Sequence, residues 1–216
     1  MRIFVVLPLF LTLQASAQLP VRLEPRHRNI FENDKVRILD VRFGPGDTTL
    51  YHEHRTPSVF VTLHAVMTGG QLFGQKLSPD KDKGPDGEIS YDSLPKPRYH
   101  RVWNADKDWF QVQDIELTGL PTATVLKEWK GPGIETIALA QLANIYRLSA
   151  PTDKPIEIPA SAGGILLIST GKARVHLRTG TTTQQLNMLP GHFQWLDGSA
   201  TITCLDVDKF AVIQMK

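Results

Sequence analysis

Alternation of apolar and polar residues runs through most of this chain and predicts strands rather than helices. Residues Val36 to Phe43 alternate cleanly and stop at Gly44-Pro45-Gly46-Asp47, a typical turn sequence. Ser58 to Met67 is a longer apolar-rich strand that ends at Thr68-Gly69-Gly70. Strand-like runs of this kind recur every eight to twelve residues, with glycine, proline and aspartate between them. This recurrence is typical of an all-β sandwich or barrel.

The pattern resumes near residue 134, after the predicted linker Lys130-Gly131-Pro132-Gly133. Residues 135–148 fit one long strand or two short ones, and in Ile137 to Leu142 a helical turn competes with the strand. Between the two sets, residues 78–97 hold four prolines and two glycines, which predicts a loop with a short hairpin around Glu88 to Tyr91. The other predicted strands are Tyr99–Trp103, Trp109–Leu117, Gly164–Ser169, Lys172–Leu177, Thr183–Leu189, Ala200–Leu205 and Phe210–Met215.

The first seventeen residues have the features of a signal peptide. Arg2 supplies a positive charge, Ile3 to Leu13 is almost unbroken apolar sequence, and Ala15-Ser16-Ala17 fits a cleavage site before Gln18. The apolar run is shorter than the roughly twenty residues that span a bilayer. We therefore expect a periplasmic or secreted protein without a membrane anchor after cleavage.

Charge and cysteine content narrow the classes of partner. Lysine and arginine number 24 and aspartate and glutamate 22, without a dense basic cluster, so a nucleic-acid partner is not expected. We expect a small-molecule ligand or substrate, or a second copy of the chain in a homodimer. The single cysteine, Cys204, cannot form an internal disulfide, and its strand-like surroundings predict a small buried thiol.

Three histidines have the spacing of a metal site. His52 and His54 are two residues apart in an extended segment, so both side chains leave the same face, while Glu53 points the other way. His100 lies on a separate predicted strand. Two imidazoles on one strand and one on a neighbour can hold a metal ion and leave positions open for water or substrate.

A family resemblance places these histidines in context. The segment from Gly46 to His54 resembles the first motif of the cupin superfamily, a glycine followed by H-x-H. The segment Tyr99 to Asn104 resembles the H-x-x-x-N end of the second cupin motif. The resemblance covers about residues 30–118 and implies a double-stranded β-helix (jelly-roll) barrel. It also implies that His52, His54 and His100 bind a divalent metal ion in the barrel mouth.

The first cupin motif departs from the usual pattern in its ligand set. The motif usually supplies a glutamate after H-x-H, but Ser58 and Val59 occupy those positions here. Three-histidine sites are known among cupin-like dioxygenases, so the resemblance still implies a metal. Iron, nickel, zinc and manganese all remain candidates.

The second half also resembles a cupin, through Leu189-Pro190-Gly191-His192-Phe193-Gln194-Trp195, but it has no H-x-H. We therefore predict two cupin-type barrels in tandem, an N-terminal barrel at 18–130 with the metal site and a degenerate C-terminal barrel at 134–216. His176 and His192 are predicted to be surface or packing residues. His64 is assigned to the core, and His27 is expected to be exposed.

Two functions fit these features. The first is a metal-dependent oxidoreductase of the dioxygenase kind, in which Asn104 lies beside the site or closes a turn and no catalytic base is identifiable. The second is a non-catalytic module that binds a small ligand such as a sugar, or has a structural role. The fold cannot choose between them, since cupins include enzymes, binders and storage proteins.

Overall fold

The computed structural model describes residues 19–151, 153–206 and 208–216. The predicted signal peptide, residues 1–17, lies outside these residues. Apart from one 3₁₀ helix at Val21–Leu23, every helix or strand in the described part of the chain is a β-strand. The all-β prediction is therefore confirmed. Within the same residues, no helix has the length and apolar composition that a membrane span requires.

The first half of the chain forms two facing sheets. Its strands are β1 (Leu19–Pro20), β2 (His27–Glu32), β3 (Val36–Phe43), β4 (His52–His54), β5 (Ser58–His64), β6 (Thr68–Leu72), β7 (Ile89–Asp92), β8 (Arg98–Asn104) and β9 (Phe110–Leu117). The larger sheet has the order β2-β3-β9-β5-β7 and the smaller one β1-β4-β8-β6. Apolar side chains from both sheets fill the space between them, among them Leu39, Val41, Phe43, Val112 and Val102.

The second half repeats this arrangement. Its strands are β10 (Ile134–Leu139), β11 (Ala143–Ala150), β12 (Pro155–Ile158), β13 (Ile165–Ser169), β14 (Ala173–Thr179), β15 (Thr182–Met188), β16 (Phe193–Leu196), β17 (Ala200–Cys204) and β18 (Asp208–Met215). The sheets have the orders β10-β11-β18-β13-β16 and β12-β17-β14-β15. Tyr146 and Phe210 are fully buried between them, together with Cys204, as predicted for that thiol.

The two larger sheets pack against each other through their outer faces. Ile38, Val61 and Ile115 from the first half lie in one buried cluster with Leu166 and Ile213 from the second. The central strands are therefore covered on both faces, which explains why Ile165 to Ile168 is an unbroken apolar run rather than an alternating one.

Tertiary pairing overturns the predicted hairpin near Glu88 and decides between the alternatives for residues 135–148. The segment near Glu88 does not fold back as its own hairpin, because β7 pairs with β5 at the edge of the larger sheet. Ile137 to Leu142 forms no helical turn, because β10 and β11 are antiparallel strands with a bulge between Thr136 and Ala138. Residues 135–148 therefore form two short strands.

Candidate metal centre

The three predicted histidines come together at one end of the first barrel. His52 and His54 are buried on the same face of β4, and His52 lies directly opposite His100 on β8. The ring centroids are 5.0 Å apart for His52 and His54, 4.7 Å for His52 and His100, and 4.9 Å for His54 and His100. The three imidazoles thus form a nearly regular triangle.

A fourth histidine joins this group, against the expectation from sequence. His27 is not exposed: only 6% of it is accessible, and it begins β2 opposite Val41 of β3. Directly opposite residues in antiparallel strands share a face, and Val41 faces the barrel interior, so His27 points inward too. Its ring lies 4.6 Å from that of His52. One ring nitrogen from each of His27, His52 and His54 lies within 4.8 Å of the others.

Two of these rings are oriented by hydrogen bonds on Nδ1. In His52, Nδ1 donates to the backbone carbonyl of Leu50 at 2.8 Å, and in His27 it lies 2.7 Å from Oε2 of Glu24. A carbonyl or an ionised carboxylate can only accept, so the proton sits on Nδ1 in both rings. Each Nε2 is left with a free lone pair, which is the state a metal ion requires.

Glu24 is held ionised although it is buried. Burial is the largest single effect and favours the neutral acid, but the interaction with His27 and the hydrogen bonds from the backbone N–H groups of Leu50 and Arg26 together outweigh it and lower the pKa of Glu24. A carboxylate beside a ligating histidine is a common supporting group in metal sites. Glu24 can fill that role for His27.

His54 faces a second buried carboxylate. Its Nδ1 lies 3.5 Å from Oδ2 of Asp114, and neither Nδ1 nor the two carboxylate oxygens has a hydrogen-bond partner. Burial raises the pKa of Asp114 to about 7. The carboxylate sits behind His54, on the side of the ring away from His52.

The imidazoles of His52, His54 and His100 are neutral at neutral pH. Burial lowers the pKa of His52 to about 4, and the neighbouring His27 ring adds to this. Burial also lowers the pKa of His100 to about 3 and the pKa of His54, in both cases reinforced by the neighbouring imidazoles. Neutral imidazole is the metal-binding form, so none of these three rings has to lose a proton before an ion binds.

This donor set fits a divalent metal ion. The Nε2 atoms of His52 and His54 are 3.1 Å apart. With its own proton on Nδ1, His52 can only accept at Nε2, so Nε2 of His54 donates to it in the metal-free protein. A cation between the two nitrogens would replace that proton, which Nδ1 of His54, on the Asp114 side, can hold instead. Two ligands at the usual metal–nitrogen distance of about 2.0–2.1 Å and near a right angle are about 3 Å apart. The Nε2 atom of His100 is also buried without a partner.

No carboxylate occupies the positions where the family's glutamate is expected. Val59 packs into the interface between the barrels. Ser58 is buried on the same face of β5 as Phe60, which lines the cavity of the site. The ligand set on β4 and β8 is therefore made of imidazoles.

The histidines border a small cavity of about 210 Å³ with mostly apolar walls. Three phenylalanines and three valines contribute to it, with Thr62, Thr68 and Asp114 as the other polar members. The apolar side chains are Val41, Phe43, Phe60, Val102, Phe110 and Val112. Such a cavity accepts a small, largely apolar molecule with its polar end at the imidazoles.

The remaining sequence candidates lie outside this site. His64 is not a core residue: it is partly exposed, with Nε2 3.0 Å from Oδ2 of Asp108. Asn104 closes the turn after β8, donating to the carbonyl of Asp108 and accepting from the backbone N–H of Asp106. Among the described residues, the one cluster of metal-binding side chains whose ligand atoms all lie within 4.8 Å of one another consists of His27, His52 and His54. His100 adjoins this cluster through its ring contacts with His52 and His54, and neither His176 nor His192 belongs to it.

Sequence reasoning missed His27 and Glu24. The strand alternation that reveals inward residues is broken in β2, where a bulge lies between Asn29 and Phe31. The available signal was the pairing of His27 with an inward residue of β3, which requires the register of the two strands. A second signal was the three-residue spacing between Glu24 and His27, which brings the two side chains into contact.

Solved structures with a similar fold span most of this chain. The bacterial pirin YhhW from Escherichia coli in complex with nickel(II) is 13% identical, with 88% of this chain and 90% of that chain covered and a TM-score of 0.62. For the cupin 2 conserved barrel domain protein from Leptotrichia buccalis, identity is 8%, each coverage is 88% and the TM-score is 0.57. A mutant of salicylate 1,2-dioxygenase from Pseudoaminobacter salicylatoxidans is 10% identical, with 83% of this chain and 70% of that chain covered and a TM-score of 0.53.

Sequence comparison adds no closer assignment, since no protein-family model and no curated protein matches the chain. The structural matches nevertheless extend over both halves of the chain. On the shared strand arrangement, this chain has the cupin fold.

Proposed function

We propose that this protein is an exported metal-dependent cupin that binds a small organic molecule, and that it is an oxidoreductase of the dioxygenase kind. His52, His54 and His100 hold the ion. The observation that carries the proposal is the convergence of these neutral imidazoles at the end of an apolar cavity. The solved pirin contains nickel(II), and a second protein with the same fold is a salicylate 1,2-dioxygenase; both agree with this chemistry.

The protein's own residues would orient the ligands and keep water out. The Leu50 carbonyl fixes the ring of His52 through Nδ1, and Asp114 lies 3.5 Å from Nδ1 of His54, behind that ring. A bound ion would supply open coordination positions for an oxygen donor of the substrate and for dioxygen. The valines and phenylalanines of the cavity wall exclude bulk water and strengthen polar interactions at the imidazoles.

The cavity limits the size of the substrate. Its volume of about 210 Å³ is below the roughly 300–1,000 Å³ of sites for drug-sized ligands. Phe43, Phe60 and Phe110 present aromatic surface to it, which suits a single ring or a short apolar chain. A small phenol, diketone or thiol has both the required apolar body and a donor atom for the ion.

One observation favours the alternative, a non-catalytic protein that binds a small ligand such as a sugar or has a structural role. Of the residues that line the cavity, Asp114 is the only acid, and it faces His54 from behind rather than the open cavity. With Ser58 and Val59 at the glutamate positions, no side chain at the cavity is placed to act as a general base on a substrate.

Metal analysis separates these functions in two steps. Wild-type protein loaded in turn with iron, nickel, zinc or manganese is expected to hold one ion per chain, and His176→Ala is the matched control. His52→Ala and His100→Ala are expected to lose most of the bound ion while keeping the β-sheet circular dichroism spectrum. Full stoichiometry in both variants would overturn the proposed site. Oxygen uptake by the loaded protein with phenols, diketones and thiols then distinguishes an enzyme from a binding protein.

A further inference from the structure

The site contains one more histidine than the predicted set. We propose that His27, held by Glu24, is a further metal ligand and takes the place of the absent glutamate. This inference rests on the proposed metal site. Its basis is the approach of ring nitrogens from His27, His52 and His54 to within 4.8 Å of one another.

The direction of the His27 ring supports this assignment. The hydrogen bond to Glu24 occupies Nδ1, at 2.7 Å, so Nε2 is the atom left to bind an ion. The ring lies 4.6 Å from His52 at an interplanar angle of 57°, so the two imidazoles are tilted rather than stacked. His27 approaches from β2 in the larger sheet, whereas His52 and His100 lie on β4 and β8 of the smaller one.

The charged groups around the site also support the assignment of His27 as a metal ligand. A set of imidazoles brings no negative charge, yet a buried divalent cation needs compensation. Glu24 and Asp114 provide two carboxylates, each on the Nδ1 side of a ligand ring, one behind His27 and one behind His54. With His27 as a ligand, both carboxylates act through a bound imidazole, and their combined charge can balance the ion.

Glu24 also links two parts of the site. Its Oε2 contacts His27, and its Oε1 accepts the backbone N–H of Leu50 at 3.1 Å. The carbonyl of the same Leu50 accepts from Nδ1 of His52. One carboxylate therefore positions His27 directly and His52 through the backbone. Glu24 is a positioning residue, and its loss should weaken the site without removing a ligand.

Cobalt(II) titration of the full mature chain tests this assignment, because the visible bands of the ion report its ligands without requiring activity. The variants are His27→Ala, Glu24→Gln and His100→Ala. His64→Ala is the control, since His64 also has a carboxylate partner but lies outside the cluster. We expect His27→Ala to change the band shape and to weaken binding at least about 10–100-fold. We expect Glu24→Gln to weaken binding by about 10–100-fold with the band shape nearly kept.

The outcomes separate this inference from the proposed function. If wild-type protein binds no cobalt, both fail. If it binds one equivalent and His27→Ala keeps the wild-type bands and affinity, the assignment of His27 fails and the proposed site stands. If His100→Ala keeps the bands while His27→Ala loses them, His27 is a ligand and His100 is not. Should His27→Ala not fold, Glu24→Gln decides: unchanged affinity would contradict the assignment.

Discussion

Replacing Asp114 with asparagine should stabilise the metal-free protein, by an amount that grows with pH. The carboxylate is 1% exposed, and neither oxygen has a hydrogen-bond partner. Asparagine keeps the shape of the side chain and removes the charge. Its amide group can also hydrogen-bond with Nδ1 of His54, which lies 3.5 Å from the carboxylate.

The magnitude follows from the raised pKa. Burial moves the pKa of Asp114 from 3.8 to about 7, so the folded protein keeps a proton that the unfolded chain has lost. The free energy of unfolding therefore falls as the pH rises from 3.8 to about 7. At 1.36 kcal/mol per pKa unit, this shift destabilises the folded protein by about 4 kcal/mol at pH 8 and by about 2 kcal/mol at pH 5. Burying the new amide costs about 1–3 kcal/mol at either pH, so the net gain is smaller. Because the cost of the amide is the same at both pH values, the gain in unfolding free energy from Asp114→Asn should still be about 2–3 kcal/mol larger at pH 8 than at pH 5.

Urea denaturation of chelator-treated protein at pH 5 and pH 8 measures this effect. Glu116→Gln is the matched control, since Glu116 lies two residues along the same face of β9 but is paired with Arg37 at 2.7 Å. Breaking that pair should destabilise the protein. Saturating metal should reduce the advantage of asparagine, because a nearby cation stabilises the carboxylate. An Asp114→Asn variant that gains no stability relative to wild type between pH 5 and pH 8 would refute the reasoning.

Three further predictions concern other parts of the chain. Burial raises the pKa of Cys204 to about 12, so a thiol reagent at pH 8 should find one reactive group only in denaturant; rapid reaction of native protein would contradict this. Gly69→Ala should cost about 1–3 kcal/mol in thermal melts, because its Cβ would lie 2.1 Å from Cε2 of Trp103. Gly198→Ala, whose Cβ would meet no atom within 4 Å, is the control, and equal melting temperatures would exclude the clash. N-terminal sequencing of protein from its native compartment should begin at Gln18, and an uncleaved, membrane-bound product would disprove export with cleavage.

The sequence was sufficient for the parts of the site that follow from strand periodicity. The two-residue spacing of His52 and His54 places both rings on one face of any strand. The motif resemblance supplied His100, which the structure places directly opposite His52. The fold class follows from the same regularity, because alternation and turn residues are local properties.

His27 and Asp114 could not be placed in this way. The inward direction of His27 depends on its pairing with Val41, and a bulge in β2 disrupts the local pattern. The approach of Asp114 to His54 joins two sheets, and their packing is a tertiary property. The short strand β7 shows the same limit, since its partner is β5 and not its sequence neighbour.

The contact between the two larger sheets determines which surfaces remain available for a homodimer and whether the first half can be produced alone. The outer face of β3, β5 and β9 carries Val36, Ile38, Val59, Val61 and Ile115, and the second half buries these side chains. The second half thus acts as a covalently tethered partner, a role that does not require a metal site of its own. A truncated chain ending before β10 would expose this face to water and should aggregate. A homodimer of the intact chain would have to form through a different surface.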